Sequence, residues 1–176
     1  KALLLADDHR VVAVAHAQLT VQQPKPLWSE QDPHSWWLAL ESVMDQLAAG
    51  HRADLSAVRA IGLSGQMHGA VLLDAQDKVL RTAILWNDGR SGAACEALTQ
   101  AVPEVGQITG NLAMPGFTAP KLAWLREHEP AAFDAVAKVL LPKDYLRLCL
   151  TGEYATDASD AAGTLWLDVG KRQWSA

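Results

Sequence analysis

Apolar and polar positions follow two different periods along this chain, and the changes of period mark its elements. Residues 1–6 and 11–20 are β-prone apolar runs on either side of Asp7-Asp8-His9-Arg10, a group of turn formers, so the chain should open as a β-hairpin. A Pro- and Gln-rich loop over 22–26 follows. Asp32 then suits a helix cap and Pro33 the first helical position. Beyond them Trp36, Leu40, Val43 and Leu47 recur at helical spacing, and Gly50 suits the C-terminal end. Residues 58–63 read as a buried strand running into Ser64-Gly65-Gln66-Met67-His68-Gly69. A short hairpin is expected over 71–73 and 79–80, and another brief strand over 84–86.

The second half is mostly helical in pattern. Helices are expected over 91–101 and 121–128, joined by a Gly- and Pro-containing connection over 103–120. A short strand over 139–141 precedes Pro142, a helix over 144–150 should close at Gly152, and the remainder to residue 176 is mixed. A hairpin followed by strands alternating with helices predicts an α/β class, a mixed sheet with helices on its faces.

Composition narrows the classes. The 176 residues suit one domain, with 49% hydrophobic and 20% charged residues. That is too apolar for disorder, and no uninterrupted apolar run reaches the roughly eighteen residues of a membrane span. The net charge is −5 with scattered basic residues, which predicts neither nucleic acid nor an anionic membrane as partner. Cys95 and Cys149 are far apart and make no CxxC pair, so they are expected to be buried thiols in a reducing cytoplasm.

Candidate chemistry concentrates in two loops, Gly65-Gln66-Met67-His68-Gly69 and Trp86-Asn87-Asp88-Gly89-Arg90, each just beyond a predicted strand. Gln66, His68, Asn87 and Asp88 offer donors and acceptors for hydroxyl groups, and Met67 and Trp86 offer apolar surface, a combination that suits a sugar. Spacing alone equally allows Met67 and Trp86 as core residues, His68 as a satisfied polar group and Asp88–Arg90 as a solvated pair. No HExxH, carboxylate cluster, GxSxG, GxxxxGK[ST] or GxGxxG pattern occurs, so no metal site is expected. Asp7-Asp8-His9 reads better as a turn than as ligands, and Asp157 and Asp160 as a capped polar segment rather than a catalytic pair.

Longer stretches carry a resemblance: Pro26-Leu27-Trp28-Ser29-Glu30-Gln31-Asp32-Pro33, Gly65-Gln66-Met67-His68-Gly69-Ala70, Ile84-Leu85-Trp86-Asn87-Asp88-Gly89-Arg90, Leu141-Pro142-Lys143-Asp144-Tyr145-Leu146-Arg147, Ser159-Asp160-Ala161-Ala162-Gly163-Thr164-Leu165-Trp166-Leu167-Asp168, and the signature-like run from Gly116-Phe117-Thr118 through Lys121 to His128. Together they make the whole chain resemble the FGGY family of carbohydrate kinases. The Gln66-Met67-His68-Gly69 segment points to the members that take a ketopentose, D-xylulose, because glycerol-phosphorylating members resemble an Arg-Glu pair where Met67 and His68 stand.

The resemblance implies two actin-like, ribonuclease-H-like domains with the sugar deep in the cleft and ATP held mainly by the second domain, with Mg²⁺ on its phosphates. It makes Met67 and His68 substrate contacts, with the Trp86, Asn87 and Asp88 loop beside them and Gln66 alongside. By the same resemblance residues 1–176 form a partial N-terminal domain. The chain begins at the lysine, Lys1, that ends the family's first phosphate motif, so the first strand and the second domain are absent. No catalytic residue is then expected in this chain, which alone should be inactive, and a second copy of the chain or local disorder would have to answer for the missing strand. Two other readings stay open: a kinase of the same family for another ketose, and a non-catalytic sugar-binding or interaction module.

Overall fold

The computed structural model describes residues 1–175, so the last residue of the mixed C-terminal segment, Ala176, lies outside the described residues. The chain divides into two compact units, one of Lys1–Thr20 with His34–Ser64, the other of Val21–Pro33 with the chain from Gly65 onward.

In the first unit, strand β1 (Ala2–Leu5) pairs antiparallel with β2 (Val11–Ala15), and the register slips between Leu4 and Leu5. The turn is the one its composition predicts: Ala6 and Arg10 close it backbone to backbone at 2.9 Å, His9 takes φ 64°, and Asp8 Oδ1 accepts from the Arg10 N–H. Leu4 and Ala15 face inward onto Val43 and Leu47 of helix α1 (Pro33–Ser56), so the expected helical stripe is the one that is buried. Helix α1 runs past Gly50, but not cleanly: His51, at φ −137° and ψ 37°, breaks it immediately after that glycine.

The strand expected over 58–63 does not form. Among the described residues this segment has no ladder partner, and Ile61 is 67% exposed. A strand exists only through a neighbour that takes its N–H and C=O groups, and an apolar sequence cannot supply one.

The second unit holds strands β3 (Glu30–Gln31), β4 (Val71–Leu73), β5 (Ala83–Ile84), β6 (Lys138–Leu140), β7 (Leu167–Asp168) and β8 (Gln173–Trp174). Antiparallel ladders join β3 to β5, β4 to β6 and β7 to β8, and a bridge from Ala70 to Ile84 ties the first two together. The α/β class holds. The mixed sheet, however, takes the form of short antiparallel pairs among the described residues. Helices α2 (Gly92–Ala101), α3 (Val105–Thr109), α4 (Thr118–His128), α5 (Pro130–Asp134), α6 (Pro142–Thr151) and α7 (Ala158–Ala161) surround them, with a 3-10 turn at Ala162–Thr164.

The core of this unit gathers Ala70, Leu72, Ile84, Ala94, Leu122, Trp124 and Leu125. Helices α3 and α5 were not legible in the sequence, since five residues are too few to show a 3.6 period. Helix α4 begins earlier than its pattern suggested, with Pro120 in its first turn, where a missing N–H costs nothing. Helix α6 closes at Gly152, left-handed at φ 71°, as its sequence predicts. Cys95 is buried, but Cys149 is exposed, contrary to expectation, because it lies on the outward side of α6. Among the described residues no helix is long and apolar enough to cross a membrane.

Candidate functional site

The loop that carries Gln66, Met67 and His68 is held by contacts only small residues allow. A Cβ on Gly69 would lie 2.7 Å from Pro142 Cγ, so a glycine is needed for the loop to lie against the start of α6. His68 has φ 64°, a left-handed conformation that is uncommon for residues with a side chain, and the Gly69 N–H donates to the Met67 carbonyl at 2.8 Å. Met67 is 45% exposed, so it is not a core residue. Gln66 donates from Nε2 to the Oε1 of buried Gln31 at 3.0 Å, which fixes its amide in one orientation.

The His68 ring is half-buried, with the Phe117 ring tilted against it at 4.6 Å between centroids. Burial pushes its pKa below the ordinary histidine value, with the nearby Lys121 acting in the same direction, while Asp160 and the Gly163 backbone oppose the shift. A neutral imidazole has one donor and one acceptor nitrogen, and because Nδ1 is buried against Gly163 only Nε2 is left to meet a ligand.

The second loop, Trp86 to Arg90, is brought alongside through the residues that lead into α4. Lys121 Nζ donates to the carbonyls of His68 and Gly116, each at 2.7 Å, and a Cβ on Gly116 would lie 2.4 Å from the Trp86 carbonyl oxygen. Trp86 is 51% exposed and so, like Met67, offers its apolar surface outward. Asn87 is exposed as well, but it opens onto a cavity of about 380 Å³ lined by residues 23–29, whose walls include neither Met67 nor His68.

Asp88 departs from its expected role as a sugar contact. Its carboxylate is buried and occupied: Oδ1 accepts from the Arg90 N–H and Nε, and Oδ2 from Arg90 Nη2 at 2.7 Å and the Ser29 N–H at 2.6 Å. Nor is it one half of a solvated pair. The Arg90 guanidinium lies 3.6 Å from the centre of the Trp28 ring and also meets Glu30 at 2.7 Å, and Glu30 in turn binds Arg81 and the Thr82 hydroxyl. Asp88 and Arg90 therefore hold the loop against strand β3 and leave Trp86 at its tip.

A second ionic knot supports the far side of His68. Lys143 Nζ contacts Asp144 at 2.7 Å, Asp160 at 2.9 Å and Asp157 at 3.0 Å. Burial alone would lower the lysine pKa, but the three carboxylates together raise it well above its ordinary value. Asp157 also caps α7 by accepting from the Ser159 and Asp160 N–H groups, which agrees with its reading as a capped segment. The 3-10 turn that follows α7 carries Gly163, against which the His68 ring rests.

Sequence reasoning missed Lys121, Phe117 and Gly163 as part of this site. The first two lie inside the signature-like run, yet nothing in the local sequence of α4 marks a lysine there as buried. Among the described residues no group of three or more His, Cys, Asp or Glu side chains is arranged to hold a metal ion.

The whole chain, residues 1–176, matches the FGGY family of carbohydrate kinases, N-terminal domain. It is 59% identical over 175 residues to the xylulose kinase of Escherichia coli strain K12, an alignment that covers 99% of this chain and 36% of that protein. Among solved structures, that of a xyloylose kinase from Brucella ovis superposes with a TM-score of 0.96 at 55% identity, and that of the xylulose kinase from Rhodospirillum rubrum with 0.90 at 34%. Both alignments cover 99% of this chain and 36% of the other, so the chain spans 36% of the length of these relatives.

Proposed function

Since the chain belongs to the FGGY family of carbohydrate kinases, matching its N-terminal domain throughout, we propose that the whole protein transfers the γ-phosphate of ATP to D-xylulose, giving D-xylulose 5-phosphate and ADP. This chain contributes one wall of the sugar pocket. The observation that carries the reading is the pinned Met67–His68 pair, an exposed apolar side chain next to a neutral imidazole whose backbone is tied down by Lys121. The identities to proteins named xylulose kinase support the choice of ketose.

In this reading His68 meets one sugar hydroxyl through Nε2, since Nδ1 is buried against Gly163, while Gln66, held by Gln31, presents its carbonyl oxygen and remaining N–H. Met67 and the exposed face of Trp86 cover the carbon side of the sugar. Asn87 serves the neighbouring 23–29 cavity rather than this wall.

ATP and Mg²⁺ would have to be held outside this wall. The carboxylates nearest His68 are already engaged, Asp88 by Arg90 and Asp144, Asp157 and Asp160 by Lys143, so they fit neither a magnesium ion nor the base that takes the sugar proton. The catalytic base is expected in the rest of the protein, and the chain by itself should turn over no substrate. A cytoplasmic location suits such an enzyme.

The test is a coupled ADP-release assay on the full-length protein and on this chain, run with D-xylulose, D-ribulose, D-fructose and glycerol. Turnover by the full-length protein with D-xylulose preferred is the expected result. Preference for another ketose would reassign the substrate, use of glycerol alone would refute the ketose pocket, and turnover by this chain alone would mean that a base had been overlooked.

A further inference from the structure

Lys121 is 0% exposed and forms no ion pair among the described residues. Removing an ammonium from water without a counter-ion is costly, and burial brings its pKa down to about 7, with Asp88 opposing the shift and Arg90 adding to it. A methionine would fill much the same volume without that cost, so the amine must do something an apolar side chain cannot.

Its two contacts show what that is. Lys121 Nζ donates to the His68 carbonyl, and Thr118 Oγ1 donates to the same oxygen at 3.1 Å. Two donors from the first turn of α4 therefore fix the peptide plane after a residue that would otherwise avoid φ 64°. Because the Cα–Cβ direction follows the backbone, fixing that plane aims the imidazole. The second contact of Lys121, to the Gly116 carbonyl, anchors the amine where the chain passes the Trp86 backbone, so one nitrogen spans both loops.

We propose that Lys121 is a positioning residue for sugar binding, acting through the His68 carbonyl to hold the imidazole toward the substrate. The proposal rests on the reading of Met67 and His68 as ketose contacts. Lys121 itself touches no substrate in this scheme, and Thr118 is its helper on the same carbonyl.

In the full-length enzyme, Lys121→Met is expected to raise the KM for D-xylulose about tenfold while the KM for ATP moves by less than about twofold. A purely structural role would move both. In a cycle with His68→Ala, the Lys121→Met change should cost little further kcat/KM once His68 is gone, because its effect travels through that side chain. Thr118→Val keeps the shape, removes one donor and should raise the ketose KM about two- to fourfold, and it decides the matter if Lys121→Met does not fold. An unchanged ketose KM in Thr118→Val, or an undiminished Lys121→Met effect in the His68→Ala background, overturns the proposal. Wild-type enzyme that phosphorylates no ketose overturns the kinase reading and the proposal with it, so wild-type turnover tells the two failures apart.

Discussion

Gly163 leaves no room for a side chain beside His68: a Cβ at that position would lie 2.2 Å from both Cε1 and Nδ1 of the imidazole. Phe117 packs against the same ring, so it has little freedom to retreat without tilting toward the open side. Gly163→Ala should therefore act on the sugar rather than on the fold. The expected result is a rise of about tenfold in the KM for D-xylulose with the KM for ATP nearly constant. Gly92→Ala, where a Cβ would meet nothing within 4 Å, is the control. Equal kinetics for the two variants would show that the ring is not confined as described.

Arg90 should not tolerate lysine. Its guanidinium meets Asp88 through two nitrogens, reaches Glu30 and covers the Trp28 ring, a combination that a single ammonium cannot reproduce. Arg90→Lys is expected to lower stability by about 2 kcal/mol in urea denaturation. A loss below about 0.5 kcal/mol would place this network with ordinary surface ion pairs.

Removing Lys143 leaves three aspartates facing one another. Lys143→Met should destabilise the protein at neutral pH by about 2 kcal/mol, a figure reduced because Asp157 is half exposed. The deficit should shrink in acid. Asp157 is held below the ordinary carboxylate range, first by the Ser159 hydroxyl and then by the Asp160 N–H and Lys143, so its stabilising effect is present above that range and lost as pH falls through its folded-state value. In the variant, protonation instead relieves the repulsion. Parallel curves for wild type and Lys143→Met from pH 7 to pH 3 would contradict this account.

Lys121 makes an opposite prediction on the alkaline side. Its pKa is lowered from 10.5 to about 7, so between those values the unfolded chain binds a proton that the folded one does not, and stability rises with pH. His68 titrates below this window, since its pKa is also lowered from 6.5. From pH 7.5 to 9, wild type should gain about 1 kcal/mol per pH unit relative to Lys121→Met. Parallel denaturation midpoints for the two proteins across that range would mean that the amine is solvated in the folded state.

Much of this molecule could be read from local chemistry. Turn formers at Asp7-Asp8-His9-Arg10, Pro33 at a helix start, the Trp36–Val43–Leu47 stripe and the left-handed Gly152 each act over a few residues, and all four appear where their sequence puts them. The two candidate loops and the family were legible in the same way, from short runs of residues. What the sequence could not decide was which polar groups face solvent and which are consumed by the fold.

Asp88 looked available for a sugar but is used up by Ser29, 59 positions away, and by Arg90, while Lys121, which nothing in the sequence marked as buried, is wholly buried on the carbonyl of His68, 53 positions away. Residues 58–63 have a strand-like composition yet no partner, because β pairing belongs to two segments and not to one. Periodicity and capping are properties of neighbours along the chain. Burial, hydrogen-bond satisfaction and the aim of a side chain depend on groups far apart in sequence, so only the tertiary structure brought His68, Lys121 and Gly163 together.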